Sequence, residues 1–279
     1  MKTSGRVTRL VAVSVLAAES LLPRIGVLAR DPDVQPAVPS PSKVGTANPT
    51  SAHLIAALRS KIPIEPISIG KDPYMIWRNR EPSRSLTGAV CGVRFEPDRV
   101  HYRLSTFANT MAARDAGFAV THFSACGTCS TLQDLAVYLE KPDLTAPVRK
   151  CGIAWDTSAR LKCLQDLGFS RACAQTWLYD LQNTRRECLG VCVLSWIRGE
   201  APTLREGRLN ACLQCDEDRS GPVFKATAGR TRRNSGIRSS IPRPEEKIAP
   251  VVHDYVPDLA PKSDPRATTV NSATATGCL

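Results

Sequence analysis

Nine cysteines fall within the ninety residues from Cys126 to Cys215, and that density constrains the fold more than any other feature of the 279-residue chain. Cytosolic thiols are kept reduced, so this crowding points to an oxidising compartment in which bridges hold a domain together. Cys91 brings the number to ten, compatible with five disulfides, and Cys278 is the eleventh. Spacing does not say which cysteine meets which. The chain is not a minimal disulfide scaffold either. With 42% hydrophobic residues it can bury a core, and its length suits one or two domains.

The N-terminal thirty residues support the compartment. Lys2, Arg6 and Arg9 precede nine apolar or small residues at 10–18, and Glu19, Pro23 and Arg24 follow. A basic start, a short apolar run and small residues near its end form the pattern of a secretory signal peptide. A short membrane anchor or a mitochondrial presequence are the alternatives, although the run is brief for a span. We read residues 1–30 as this segment, 31–52 as a flexible Pro/Ser/Ala linker, 53–255 as one cysteine-rich domain and 256–279 as a disordered tail.

Inside the domain, residues 89–95 and 100–107 flank Glu96-Pro97-Asp98-Arg99 and predict a β-hairpin. A short helix over 109–116, ended by Gly117, and a strand over 118–123 follow. Ser130 and Gln133 form a capping-box pattern that opens a helix over 130–139. Helical periodicity runs through 158–167 and 170–196, with Gly168 and Gly190 as expected breaks. On the second stretch Cys173, Trp177 and Leu181, then Cys188, Val191 and Cys192, share roughly one face. Residues 198–244 read as loops with short strands. The expected fold is α+β, a small hairpin and strand part followed by a helix-dominated half stapled by disulfides.

Cys126-Gly127-Thr128-Cys129 sits between the expected strand and helix. Free N–H groups and the dipole at a helix N-terminus stabilise a thiolate, and strand, Cys-Gly-x-Cys, helix is the local arrangement of thioredoxin-like redox sites. On this reading Cys126 attacks, Cys129 resolves, and His122, four residues upstream, keeps Cys126 deprotonated. The likeness spans about twenty residues, without the further strands of that fold, so no family follows from it. With Cys212 and Cys215 the same pair could instead supply four thiolates to zinc, although the separation exceeds that of ordinary ribbons. His122 could equally close its strand by bonding backbone carbonyls. His53, His101 and His253 stand away from the cysteines.

Seven basic residues and no acid lie between Arg219 and Arg243. Arg219, Arg230, Arg232 and Arg233 are the expected anion-binding residues, since guanidinium forks suit carboxylate, phosphate or sulfate. The strip holds one aromatic residue, Phe224, which argues against nucleic acid. It could also pair internally with Asp216, Glu217 and Asp218. Common hydrolase and nucleotide-binding motifs are missing. Three functions follow: a secretory-pathway thiol–disulfide oxidoreductase using Cys126 and Cys129, without a cofactor; a non-catalytic disulfide-stabilised protein binding an anionic partner; or a metal-dependent protein or small-molecule tailoring enzyme, with zinc on paired cysteines. The partner is a thiol or disulfide on the first reading and an anionic small molecule or protein on the second. Membrane contact is expected only through the N-terminal segment.

Overall fold

Alternation of side chains builds the sheet where the sequence places it. In the computed structural model, which describes residues 49–77, 88–204, 207–242 and 244–256, strands β2 (Val90–Phe95) and β3 (His101–Phe107) form the antiparallel hairpin. The two-residue β1 (Ile62–Pro63) pairs parallel with β3, and β4 (Ala119–Phe123) pairs antiparallel with β2, giving the order β1-β3-β2-β4. Residues 1–30, read from the sequence as a signal peptide or anchor, and almost all of the stretches read as linker and tail lie outside the described residues. Helix α1 (Pro49–Arg59) starts within the stretch read as linker, with proline at its first position, where no N–H is missed. Val256, read as the start of the tail, is fully buried in the core.

The central strand β2 is buried on both faces. On one, Val90, Ala113 and Phe118 form a small cluster under α3 (Thr110–Asp115), closed by the Phe107–Phe118 ring pair at 4.9 Å. A Cβ on Gly92 would sit 2.8 Å from Phe118 Cβ and 2.9 Å from the Phe107 ring, so this pair needs a glycine beneath it. On the other, Val93 and Tyr102 join the main core with α1 and the helices that follow.

Those helices are α4 (Leu132–Glu140), α5 (Thr145–Gly152), α6 (Thr157–Asp166), α7 (Arg171–Ile197), α8 (Ala211–Arg219) and α9 (Gly221–Ala228). A four-residue helix, α2 (Pro73–Ile76), lies against α7 and α9. Helix α4 begins one residue later than its capping-box pattern predicts. Thr131 caps it by accepting from the Asp134 N–H, while the Ser130 hydroxyl is committed elsewhere and Gln133 donates to the Gly168 carbonyl. Residues 198–244, read as loops and short strands, instead contain α8 and α9. Asn210 caps α8 through the Leu213 N–H, and Pro222 falls in the first turn of α9, both ordinary helix starts.

Gly168, at φ +107°, does end α6, but Gly190 lies uninterrupted inside the 27-residue α7. Bridges Cys188–Cys215 and Cys192–Cys212 bracket it and hold both flanks helical against α8. Those two cysteines face α8, whereas Val191 is 39% exposed, so the shared face predicted for all three does not form. The remaining bridges are Cys91–Cys126, Cys129–Cys173 and Cys151–Cys163, which tie β2 to the loop after β4, that loop to α7, and α5 to α6. All described residues belong to one unit, an α+β cysteine-rich fold.

Candidate functional site

Cys126 and Cys129 do not bond each other. Cys126 pairs with Cys91 and Cys129 with Cys173, so the redox pair expected from their spacing is replaced by two bridges pointing in different directions. Neither cysteine lies at the helix start: α4 begins at Leu132, six residues past Cys126, beyond the first turn where a helix dipole is felt. The zinc alternative meets the same obstacle. Cys126, Cys129, Cys212 and Cys215 are bonded to four different cysteines, which removes the thiolates that would ligate a metal.

What the loop does instead is cap a helix. The Thr128 and Cys129 N–H groups donate to the Thr227 and Ala228 carbonyls at 3.0 and 2.9 Å, filling acceptors at the C-terminal end of α9. Gly127 and Gly229 meet backbone to backbone there: a Cβ on Gly127 would lie 2.4 Å from the Thr227 carbonyl oxygen, and one on Gly229 2.5 Å from Gly127 N. Gly229 also turns the chain at φ +71°. The glycine of Cys-Gly-x-Cys is therefore demanded by close packing.

Beside this contact lies a fully buried polar network centred on Arg230. Its five N–H groups make five hydrogen bonds: to the carbonyls of Cys129, Thr121 and Ser130 and to the hydroxyls of Thr121 and Ser235. Burial lowers the pKa of the guanidinium, and Asp134 opposes that shift by attraction. Asp134, entirely buried, accepts from the Thr131 and Ser170 hydroxyls and the Ser170 N–H; burial pushes its carboxyl up to about 6.

Because a carbonyl oxygen only accepts, the Ser235 carbonyl fixes the direction of the hydrogen-bond chain that ends on it. The Thr121 hydroxyl accepts from Arg230 and donates to the Tyr255 hydroxyl, which donates to His253 Nδ1, while His253 Nε2–H donates to the Ser235 carbonyl. His122 follows the same logic. Nδ1–H donates to the Phe123 carbonyl and Nε2 accepts from the Ser130 hydroxyl, which itself accepts from the Gly127 N–H. Desolvation pushes His122 well below the ordinary histidine range and His253 down to about 4, so both rings are neutral at physiological pH. Both His122 nitrogens are engaged, and neither bonds Cys126.

The four arginines expected to bind anions divide. Arg230 is wholly inside, and Arg232 donates to the Tyr138 carbonyl at 2.6 Å and to the Lys141 carbonyl. Both clamp the backbone rather than face solvent. Arg219 is exposed. Arg233 lines, with Arg238, Ile237 and Ile248, a shallow depression of about 290 Å³, where Arg238 pairs with Glu245 at 2.6 Å. Of the nearby acids, Glu217 pairs with Lys225 of the strip at 2.9 Å.

A second polar cluster, which the sequence did not announce, joins α2, α7 and the α8–α9 corner. The Tyr74 hydroxyl donates to Asp180 at 2.7 Å; Thr184 donates to Asp216; Asn183 donates to the Arg219 carbonyl and the Ser220 hydroxyl. Desolvation and the proximity of Asp216 raise Asp180 well above the carboxylate range, and burial raises Asp216. Asp180 falls on the inward face of a helix whose periodicity was legible; Tyr74, 106 residues away, had no sequence signal linking it to that position.

Among the described residues no group of His, Cys, Asp and Glu is arranged to hold a metal, and no helix is long and apolar enough to cross a membrane. Residues 157–251 match the model of a family of unknown function (DUF8771). That stretch contains both bridges of the α7–α8 hairpin and the whole Arg230–Val251 segment, but only one end of the Cys129–Cys173 and Cys151–Cys163 bridges. No curated protein and no solved structure matches the chain.

Proposed function

We propose that this is a secreted or lumenal disulfide-stabilised protein that works by binding an anionic partner rather than by thiol–disulfide exchange. The observation that carries the reading is the commitment of Cys126 and Cys129 to separate bridges, with both His122 nitrogens bonded elsewhere. An exchanging pair needs an attacking thiol and a resolving thiol within reach of each other, and five-bridged domains of this kind belong to oxidising compartments. The binding residues are Arg219 and Arg233, the two of the four expected arginines left outside the carbonyl clamps.

Alkylation of the denatured protein without reductant, followed by intact-mass measurement, is expected to label none of the ten cysteines from Cys91 to Cys215. On a heparin column, Arg219→Glu combined with Arg233→Glu is expected to elute at lower salt than the unaltered protein. Equal elution would remove the anionic partner. Insulin reductase activity that disappears in Cys126→Ser would restore the oxidoreductase.

A further inference from the structure

Beyond Asn183 the long helix α7 loses its surroundings. Only Cys188 and Ser195 are buried there, and α8, the helix it is stapled to, has no buried residue. Leu189, Val193, Trp196 and Ile197 are 53%, 43%, 76% and 68% exposed. Their spacing of i, i+4, i+7 and i+8 sets them in a single stripe along the helix, the width of an ordinary core-facing surface. Roughly 500 Å² of apolar side chain is uncovered, in the upper part of the range for the largest patch of a single soluble subunit, a size often tied to an interaction.

We propose that this stripe is covered by the same stripe of a second copy, in an antiparallel helix pair with its two-fold axis at Val193. Two such stripes bury about 1,000 Å² of side-chain surface, the floor for a specific interface. Charge favours a like partner over an anionic surface. Residues 185–219 hold six basic and six acidic side chains, so the hairpin is neutral although the whole chain carries +11. Two copies therefore meet there without net repulsion, and the hairpin has no net charge to draw it to anionic lipid.

The pairing also uses Gly190. No heavy atom lies within 4 Å of the place its Cβ would occupy, which leaves room at the edge of the stripe. With Val193 on the axis, Leu189 packs opposite Ile197 of the second copy, and Gly190 admits its Trp196. A two-fold arrangement closes on itself, so the association stops at two, and it aligns the helix dipoles in opposition.

The experiment is sedimentation equilibrium of the full chain up to about 100 µM, the range in which an interface of minimal area associates. The unaltered protein is expected to show the mass of two copies. Val193→Glu and Val193→Lys, each altering one partly exposed side chain, are each expected to sediment as one copy with unchanged circular dichroism and, at dilutions where the unaltered protein is also a single copy, an unchanged thermal midpoint. An equimolar mixture of the two variants is expected to recover the double mass, because opposite charges then meet at the axis. A single-copy mass for the unaltered protein, a V193E variant that still dimerises, or a mixture that stays single would each overturn the pairing. A single-copy protein that co-sediments with phosphatidylcholine–phosphatidylserine vesicles would assign the stripe to a membrane instead.

Discussion

The two halves of α7 are held by different physics. From Ala172 to Asn183 seven residues are buried, Cys173, Ala174 and Leu178 sit in the main core, and Trp177 packs between the Phe169 and Phe224 rings at 5.9 and 4.6 Å. From Arg185 onward the helix has a single neighbour of consequence, α8, and two disulfides where the first half has a core. A helix this exposed gains little from propensity alone, since most helical stability in proteins comes from packing an apolar face. The second half therefore depends on covalent closure, and its own apolar face is left outward.

The sharpest way to test the packed side is Arg230. Arg230→Leu leaves three backbone carbonyls and two hydroxyls without their donor in the interior, each a loss of roughly 1–3 kcal/mol. Denaturant unfolding is expected to show a loss above about 4 kcal/mol or no folded protein. Arg198→Leu in the hairpin, a 67% exposed side chain, is expected to stay within about 0.5 kcal/mol. Equal effects would erase the distinction.

Within one helix the contrast is cleaner still. Leu178→Ala, at 2% exposure, is expected to destabilise by about 3 kcal/mol through lost transfer energy and a cavity. Leu189→Ala, eleven residues on, is expected to change monomer stability by less than about 0.5 kcal/mol.

Next in size is a pH effect confined to the packed side. His253 is depressed in the fold to about 4 from the ordinary histidine value of about 6.5, so the unfolded chain binds a proton over that interval and the folded chain does not. Its contribution is complete above pH 6.5 and fades as pH falls through 4, a change of up to about 3 kcal/mol. The raised Asp134 carboxyl works in the opposite sense over about the same range, gaining stability as pH falls. The comparison to make is therefore between the unaltered protein and His253→Gln: the stability difference between them is expected to shrink steadily from pH 7 to pH 4. A constant difference would show that His253 is protonated equally in both states.

Smaller again is the effect of removing one bridge from the hairpin. The two bridges are nested, so with one in place the other closes only a short loop, and removing Cys192 and Cys212 together is expected to cost about 2 kcal/mol. Hydrogen exchange should speed up after Asn183 and remain slow at Leu178, the signature of local opening.

These contrasts also explain what could be read from the chain. The β2–β3 hairpin, the short helix α3 ended at Gly117, and the ends of α6 were legible because turn residues and alternation act within a few positions. Cys-Gly-Thr-Cys misled because its glycine answers to Gly229, about a hundred residues away, and its cysteines to Cys91 and Cys173. Gly190 misled in the other direction: local propensity favours a break, and two covalent ties overrule it. Arg230 looked like one more member of a basic strip, since nothing adjacent in sequence marks it as the residue around which Thr121, Ser130 and Ser235 converge.

The paired bridges of the hairpin carry a mechanical implication. One disulfide is a pivot, about which α8 could swing or twist relative to α7. Two, at Cys188–Cys215 and Cys192–Cys212, act as rungs one helical turn apart and remove those rotational degrees of freedom. What extends past Asn183 is then a braced strut, and whatever docks on its side meets a surface whose orientation is already set before contact.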